Sequence, residues 1–147
     1  MDLGLTGKVA LVTGGSEGIG KAAALSMVAE GAKATICARR EDVLNAAADE
    51  IRAATGGEVL AVTADVSTPE GVQKVIDATL SQFGRLDILV NNAGVSPGGS
   101  IDDPGFEDAW HLSIDVMLTA QMRLIRAALP RLREAGAGRI VNVSSTE

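Results

Sequence analysis

Short apolar segments alternate with longer amphipathic segments along the chain, and this alternation constrains the fold more than any other feature. The apolar segments suit strands buried on both faces, and they cover residues 8–13, 32–38, 58–63, 86–90 and 139–143. The segments between them carry apolar residues at helical spacing, over residues 19–30, 40–55, 68–83 and about 106–132. Such alternation predicts an α/β, doubly wound parallel sheet with helices on both faces.

Turn and capping residues agree with these boundaries. Ser67 and Glu70 have the spacing of a capping box, and Pro69 stands in the first turn, where proline is tolerated. This spacing predicts Ser67 as the N-cap of the third helix. Glycines stand where the helices should end, at Gly31, Gly56 with Gly57, Gly84 and Gly136.

The composition describes one domain over residues 1–147 and excludes several function classes. With 13 Lys and Arg against 19 Asp and Glu, the net charge is -6. This charge opposes binding to nucleic acid or to an anionic membrane. The N-terminus has no basic segment leading into an apolar one, and no apolar run of about 18 residues occurs. We therefore expect a cytoplasmic protein that binds neither nucleic acid nor membrane.

The loop after the first predicted strand reads T-G-G-S-E-G-I-G and opens directly into an Ala-rich helix. Gly14 permits a tight turn, Gly18 lets a backbone approach a pyrophosphate, and Gly20 lets the helix pack close to the sheet. The helix N-terminus, with Ser16 and Ile19 beside it, offers N–H groups and a positive dipole end to phosphates. This pattern predicts a dinucleotide site. The alternative is a glycine-rich turn that serves packing alone.

Four motifs, in order along the chain, resemble those of the short-chain dehydrogenases/reductases. They are the T-G-x-x-x-G-x-G turn at 13–20, the Asp65-Val66 pair after the third strand, the N-N-A-G signature at 91–94, and the strand R-I-V-N-V-S-S at 139–145. The resemblance covers the chain from residue 5 onward. It implies a Rossmann fold with strand order 3-2-1-4-5 and hydride transfer between a nicotinamide cofactor and a carbonyl or alcohol substrate.

The end of the second strand predicts which cofactor is bound. An NAD-preferring relative is expected to place a carboxylate there for the ribose hydroxyls, whereas this chain has Ala38 followed by Arg39 and Arg40. Because a guanidinium pairs well with a 2′-phosphate, we predict NADP(H). The alternative is that both arginines lie in solvent. Glu17 counts against the prediction, since many NADP-preferring relatives carry a basic residue there.

The resemblance also implies roles for residues after the third and fourth strands. Asp65 would bond the adenine amino group, and Val66 would pack on the adenine ring. The backbone around Asn91, Ala93 and Gly94 would pass under the ribose and nicotinamide. The alternatives are a loop cap for Asp65 and ordinary turn roles for Asn91 and its neighbour.

The catalytic set that the resemblance implies is incomplete. Ser145, with Ser144 as second choice, matches the family's serine and would hold a substrate carbonyl, unless it serves only in a turn. Met117 stands where the family's asparagine is expected. The family's Tyr-x-x-x-Lys pair is missing, and the chain contains no tyrosine. We therefore expect the 147 residues alone to be inactive.

No other side chain replaces the missing acid. The long helix carries a predicted apolar stripe at Trp110, Met117, Leu124 and Ala128. His111 lies outside this stripe on the helix, so we expect it at the surface. Cys37 lies within a predicted central strand and should be a small buried hydrophobe. No His/Cys cluster has metal-ligand spacing, so no metal is predicted.

The fifth strand would form an exposed apolar edge, which invites pairing with another chain. We therefore expect the N-terminal, cofactor-binding portion of a longer NADP-dependent oxidoreductase, in which further sequence or a complementing second chain supplies the tyrosine and lysine. The resemblance also implies a homo-oligomer. The alternative function is a catalytically inactive dinucleotide-binding or interaction module.

Overall fold

Five parallel strands and the helices between them make up the fold. The computed structural model describes residues 1–145. Its elements are, in order, β1 (Val9–Thr13), α1 (Gly18–Ala29), β2 (Lys33–Ala38), α2 (Glu41–Thr55), β3 (Val59–Thr63), α3 (Pro69–Phe83), β4 (Ile88–Asn91), α4 (Phe106–Ile114), a π-helical segment (Asp115–Thr119), α5 (Ala120–Glu134) and β5 (Arg139–Asn142). The strands lie in the order β3-β2-β1-β4-β5, which confirms the predicted doubly wound sheet.

Apolar side chains fill both faces of the sheet, as expected for parallel strands. Successive strand residues point to opposite faces, so Val12 packs on the side of α1 and α2, while its neighbour Leu11 packs on the side of α3 and α5. Leu11, Ile36 and Leu89 are fully buried. Each such side chain contributes about 1.5–3 kcal/mol of transfer free energy. This two-sided core holds the strand ends in fixed positions.

The N-cap of α3 is Thr68, so the prediction of Ser67 was wrong by one residue. The hydroxyl of Thr68 accepts a hydrogen bond from the backbone N–H of Gly71 at 3.0 Å. Ser67 instead donates its hydroxyl to the carboxylate of Asp65 at 2.7 Å. Because Asp65 engages Ser67 in a local turn, the role of cap passes to the next hydroxyl along the chain. The glycine ends of α2 and α3 are confirmed, since Gly56 and Gly84 both have positive φ.

The long fourth helical stretch contains a π turn, which no feature of the sequence predicted. Its buried stripe runs at four-residue spacing through Val116, Ala120, Leu124, Ala128 and Leu132. Leu124 and Ala128 confirm the prediction, but Trp110 and Met117 are 57% and 41% exposed and lie off the stripe. A π turn takes in an extra residue, so the residues before it are rotated relative to a regular helix. His111 is exposed, as predicted.

The strand β5 forms one edge of the sheet and pairs with β4. All four of its residues are exposed, including Ile140 and Val141.

Nowhere in residues 1–145 does a helix combine the length and the apolar character that crossing a bilayer requires.

Candidate functional site

The loops at the carboxyl ends of the strands surround a cavity of about 750 Å³. Doubly wound sheets bind their ligands at this edge. Most of the predicted site residues line the cavity, namely Gly14, Ser16, Gly18, Ile19, Arg39, Arg40, Asp65, Val66, Ala93 and Gly94. Further lining residues, which sequence reasoning did not assign to cofactor binding, are Glu17, Cys37, Ala38, Ala64, Asn92, Val95 and Val116. The sheet therefore brings segments far apart in sequence around one cavity.

The glycine turn after β1 leaves no room for side chains at Gly14, Gly15 and Gly20, and a Cβ at Gly15 would lie 2.6 Å from the Cβ of Ile36. Gly14 has φ +65°, and a Cβ there would lie 2.9 Å from the Cα of Ala93. A Cβ at Gly20 would overlap the carbonyl oxygen of Gly14. Gly14 makes the tight turn that was predicted, and the first turn of α1 packs at Gly20 against the backbone of Gly14, whereas a contact with the sheet was predicted there.

The N-terminus of α1 is open toward the cavity. The first N–H groups of any helix lack intrahelical acceptors. Glu17 is the N-cap residue, and its side chain makes no capping hydrogen bond, in contrast to Thr68 at α3. The uncapped N–H groups and the positive end of the helix dipole thus face a cavity, which fits the phosphate groups of a dinucleotide.

The end of β4 holds the glycine turn in place. The side-chain amide of Asn92 donates hydrogen bonds to the carbonyl oxygens of Thr13 at 3.1 Å and Gly14 at 3.2 Å. In return, the hydroxyl of Thr13 accepts from the backbone N–H groups of Asn92 and Ala93, both at 3.0 Å. For Asn92, only a turn role was predicted from the sequence. The sequence feature that could have identified this role is that Asn92 is the second of two consecutive asparagines at the end of a buried strand.

The two arginines after β2 differ in their surroundings. Arg40 forms an ion pair with Glu17. Within the described part of the chain, Arg39 has no ion-pair partner, although its charge acts on Asp65. Both arginines line the cavity. A corner that holds two guanidinium groups therefore lies beside the glycine turn.

The carboxylate of Asp65 sits at the same corner and closes a local turn. Its Oδ1 accepts hydrogen bonds from the backbone N–H of Ser67 at 2.9 Å and from the Ser67 hydroxyl at 2.7 Å. The hydroxyl bond and, more weakly, the charge of Arg39 lower the pKa of Asp65 despite partial burial. Asp65 is therefore ionised at neutral pH. Its loop-capping role is present in the structure, and Val66 beside it is buried.

Three predicted site residues lie outside the lining of the cavity. Gly20 lies beneath the glycine turn. Asn91 is buried, and its side-chain amide donates to Asn142 on β5 at 2.8 Å. Ser145 is exposed and follows β5 by three residues. It is positioned by the parallel pairing of β5 with β4, in which the N–H of Val143 donates to the carbonyl of Asn91 at 2.9 Å.

The remaining candidate side chains, Cys37, His111 and Met117, show no sign of chemical reactivity. Cys37 is buried in β2 as predicted, and burial raises the pKa of its thiol to about 12, so the thiol stays protonated. His111 does not line the cavity. Met117, by contrast, stands near the N-N-A-G loop, with its Sδ 3.9 Å from where a Cβ of Gly94 would lie. Among residues 1–145 no group of His, Cys, Asp and Glu could hold a metal ion.

A doubly wound sheet with a glycine turn, an open helix N-terminus and a cavity at the strand ends defines the dinucleotide-binding class of α/β proteins. The family model for short chain dehydrogenase matches residues 8–147. The chain therefore belongs to the short-chain dehydrogenase family, and the predicted resemblance is confirmed.

Known relatives cover nearly all of this chain. A short chain dehydrogenase from Pseudocercospora fijiensis is 38% identical over 142 residues, which are 96% of this chain and 46% of the relative. A 3-oxoacyl-acyl-carrier-protein reductase from Synechocystis sp. is 40% identical over 142 residues, which are 96% of this chain and 57% of the relative. The chain thus spans about half the length of these relatives.

Solved structures show the same fold. L-sorbose reductase from Gluconobacter frateurii, complexed with NADPH and L-sorbose, superposes with a TM-score of 0.89 at 42% identity, covering 95% of this chain and 53% of that one. A metagenomic short-chain oxidoreductase in complex with NADP gives a TM-score of 0.87 at 39% identity, covering 97% of this chain and 64% of that one.

Proposed function

We propose that this chain forms the cofactor-binding part of an oxidoreductase that transfers hydride between NADP(H) and a carbonyl or alcohol substrate. One observation carries the proposal: the uncapped N-terminus of α1 and a pair of arginines face the same cavity at the carboxyl ends of the strands. The first suits a pyrophosphate and the second a 2′-phosphate. The similar L-sorbose reductase and metagenomic oxidoreductase were solved with NADPH and NADP, which supports the proposal.

The phosphate end of the cofactor would be held by the glycine turn and by the arginines. Backbone N–H groups of Ser16, Gly18 and Ile19 are proposed to bind the pyrophosphate, and the absence of side chains at Gly14 and Gly20 keeps that backbone close to the sheet. The guanidinium groups that follow β2 would bind the 2′-phosphate. NADP(H), when bound, supplies or accepts the hydride.

The adenine and nicotinamide ends would be held by the loops after β3 and β4. Asp65 has a second carboxylate oxygen, Oδ2, that accepts no hydrogen bond from residues 1–145. We assign this oxygen to the adenine amino group and the buried Val66 to the adenine ring. Ala93 and Gly94 would lie under the ribose and nicotinamide. Asn91 lies behind them and would support this loop through β5.

The substrate end rests on fewer residues of this chain. We assign Ser145, beyond the end of β5, to holding the substrate carbonyl. Because the chain has no tyrosine, the proton transfer that a tyrosine performs in the family requires a group from outside these residues. The 147 residues by themselves are therefore proposed to bind the cofactor without turnover.

The exposed apolar surface suggests where other protein would be bound. Two features are exposed and apolar: the edge strand β5, and the side chains of Trp110, Leu112 and Leu118. They fit contacts with further sequence, with a second copy or with a complementing chain in the cytoplasm.

A specific observation favours a second candidate function, a binding module without chemistry. Met117 occupies the position where the family's asparagine is expected, and a thioether does not replace an amide.

Calorimetry with NADPH and NADH, followed by an assay of carbonyl-dependent NADPH oxidation, tests the proposal on the intact protein. We expect NADPH to bind more tightly than NADH and to be oxidised in the presence of a carbonyl substrate. Binding without turnover by the intact protein would favour the binding module. No binding of either cofactor would refute both functions.

A further inference from the structure

An ion pair in the lining of the cavity joins the glycine turn to the start of α2. The carboxylate of Glu17 accepts a hydrogen bond from Nη2 of Arg40, and both residues line the cavity. Glu17 stands at the N-cap position of α1, where a side-chain oxygen of Ser, Thr, Asp or Asn would accept a bond from the helix N–H groups. Here it makes no such bond. Its charge is directed at the arginine instead.

This pairing makes the two arginines unequal. Arg40 already has an anionic partner, whereas Arg39 has none within the described part of the chain. A 2′-phosphate that enters the corner meets one unpaired guanidinium and one guanidinium bound to a carboxylate. To use Nη2 of Arg40, the phosphate must displace Glu17, and at any other N–H group of this guanidinium it still lies close to the negative charge of Glu17.

We propose that Glu17 is a specificity-determining residue that competes with the cofactor's 2′-phosphate for Arg40 and so reduces the preference for NADPH over NADH. The inference rests on the proposed function and deepens it. It also accounts for an acidic residue in a turn that otherwise suits an NADP-preferring protein.

The exposure of the pair determines how strong the competition is. The side chains of Arg40 and Glu17 are 63% and 64% exposed. Exposed ion pairs contribute little net stabilisation, because water and salt screen them. The phosphate can therefore displace Glu17. The residue moderates the preference without preventing NADPH binding.

The test compares Glu17→Gln with the wild-type intact protein by calorimetry, using NADPH, NADH, adenosine 2′,5′-bisphosphate and adenosine 5′-monophosphate. Glutamine keeps the size of the side chain and removes its charge. The ratio of the NADH to the NADPH dissociation constant should rise by about three- to fivefold at low ionic strength. The corresponding ratio for the two adenosine nucleotides should rise equally, and both increases should shrink at high salt.

Glu41→Gln is the matched control. Glu41 follows Arg40 directly, is exposed, and forms no ion pair with it among residues 1–145. This variant changes the net charge equally, so an equal rise in the ratio would show a general charge effect and overturn the inference. An equal gain for NADPH and NADH in Glu17→Gln would overturn it too, because Glu17 would then act on the pyrophosphate.

A double-mutant cycle with Arg40→Ala separates competition from direct repulsion. If Glu17 acts through Arg40, removing its charge in the Arg40→Ala background changes the ratio much less than in the wild type. A gain that persists in full overturns the competition. If the wild type binds neither NADPH nor NADH, the proposed function fails together with the inference, whereas normal binding with unchanged ratios overturns the inference alone.

Discussion

The side-chain amide of Asn92 binds the carbonyl oxygens of both Thr13 and Gly14, joining the end of β4 to the glycine turn after β1. In the sequence, Asn92 lies 79 positions after Thr13 and 78 positions after Gly14. The contact is therefore made only when the sheet has assembled. It couples the shape of the phosphate-binding turn to the loop that is proposed to lie under the nicotinamide.

Replacing Asn92 by alanine should loosen the glycine turn. Two carbonyl groups lose their donor, and a lost hydrogen bond of this kind costs about 1–2 kcal/mol of unfolding free energy. We expect this loss in urea denaturation, together with weaker NADPH binding. Gln73→Ala is the control, since the Gln73 amide donates to Asp77 at 2.7 Å on the exposed face of α3. Equal stability losses in the two variants would contradict the structural role of Asn92.

Gly20→Ala should be destabilising for a steric reason. The added methyl group would overlap the carbonyl oxygen of Gly14 and lie 2.5 Å from Nδ2 of Asn92, and neither group moves without disturbing the turn. Overpacking of this kind costs about 1–3 kcal/mol. The measurement is the free energy of unfolding. Gly94→Ala is the comparison, because a methyl group there meets nothing closer than 3.9 Å; a similar loss in both variants would show that steric overlap is not the cause.

Arg39→Ala should weaken NADPH binding more than Arg40→Ala does. Arg39 forms no ion pair within residues 1–145 and interacts only weakly with the charge of Asp65, so its N–H groups are available to the 2′-phosphate. A charge-assisted hydrogen bond of this kind corresponds to about a tenfold change in the dissociation constant. NADH binding, measured by the same calorimetry, should stay unchanged. Arg126→Ala, at an exposed position of α5, serves as the control, and an equal loss there would refute the assignment.

Asp87 should make the stability of the protein depend on acid pH. The carboxylate is 2% exposed, accepts from Arg85 at 2.6 and 2.8 Å, and accepts from the backbone N–H of Val9 at 2.9 Å. Burial acts to raise the pKa of Asp87, but the bonds from Arg85 and Val9 outweigh it and hold the pKa below its ordinary value of 3.8. The stabilisation is thus present above about pH 4 and is lost as the pH falls through the lower folded-state pKa.

Urea denaturation of Asp87→Asn at several pH values tests this dependence. The variant should be less stable than the wild type at neutral pH. The difference should shrink as the pH falls below about 4, because the wild-type carboxylate is protonated first in the unfolded state and, at still lower pH, in the folded state. Asp77→Asn, which changes an exposed carboxylate of α3, provides the comparison. A difference between Asp87→Asn and wild type that stays constant with pH would contradict the ionised pair.

Local patterns in the sequence were sufficient to predict the architecture. The apolar strands, the glycine ends of α2 and α3 and the turn from Thr13 to Gly20 all depend on residues close together in the chain, so their periodicity and turn chemistry are visible without a structure. The glycine turn and the arginines after β2 predicted part of the cavity lining, and the resemblance to the family implied the lining residues after β3 and β4. These segments meet because the carboxyl ends of parallel strands lie at one edge.

Tertiary structure decided which groups meet across that edge. The Glu17–Arg40 pair, the bonds from Asn92 to the glycine turn, and the exposure of Trp110 and Met117 beside a π turn were not predicted. Each depends on how separate segments pack, and side chains far apart in sequence have no local signal for their distance. The sequence by itself thus determined the sheet and the position of the binding edge, whereas the assembled sheet decided which arginine pairs with Glu17 and which asparagine holds the turn.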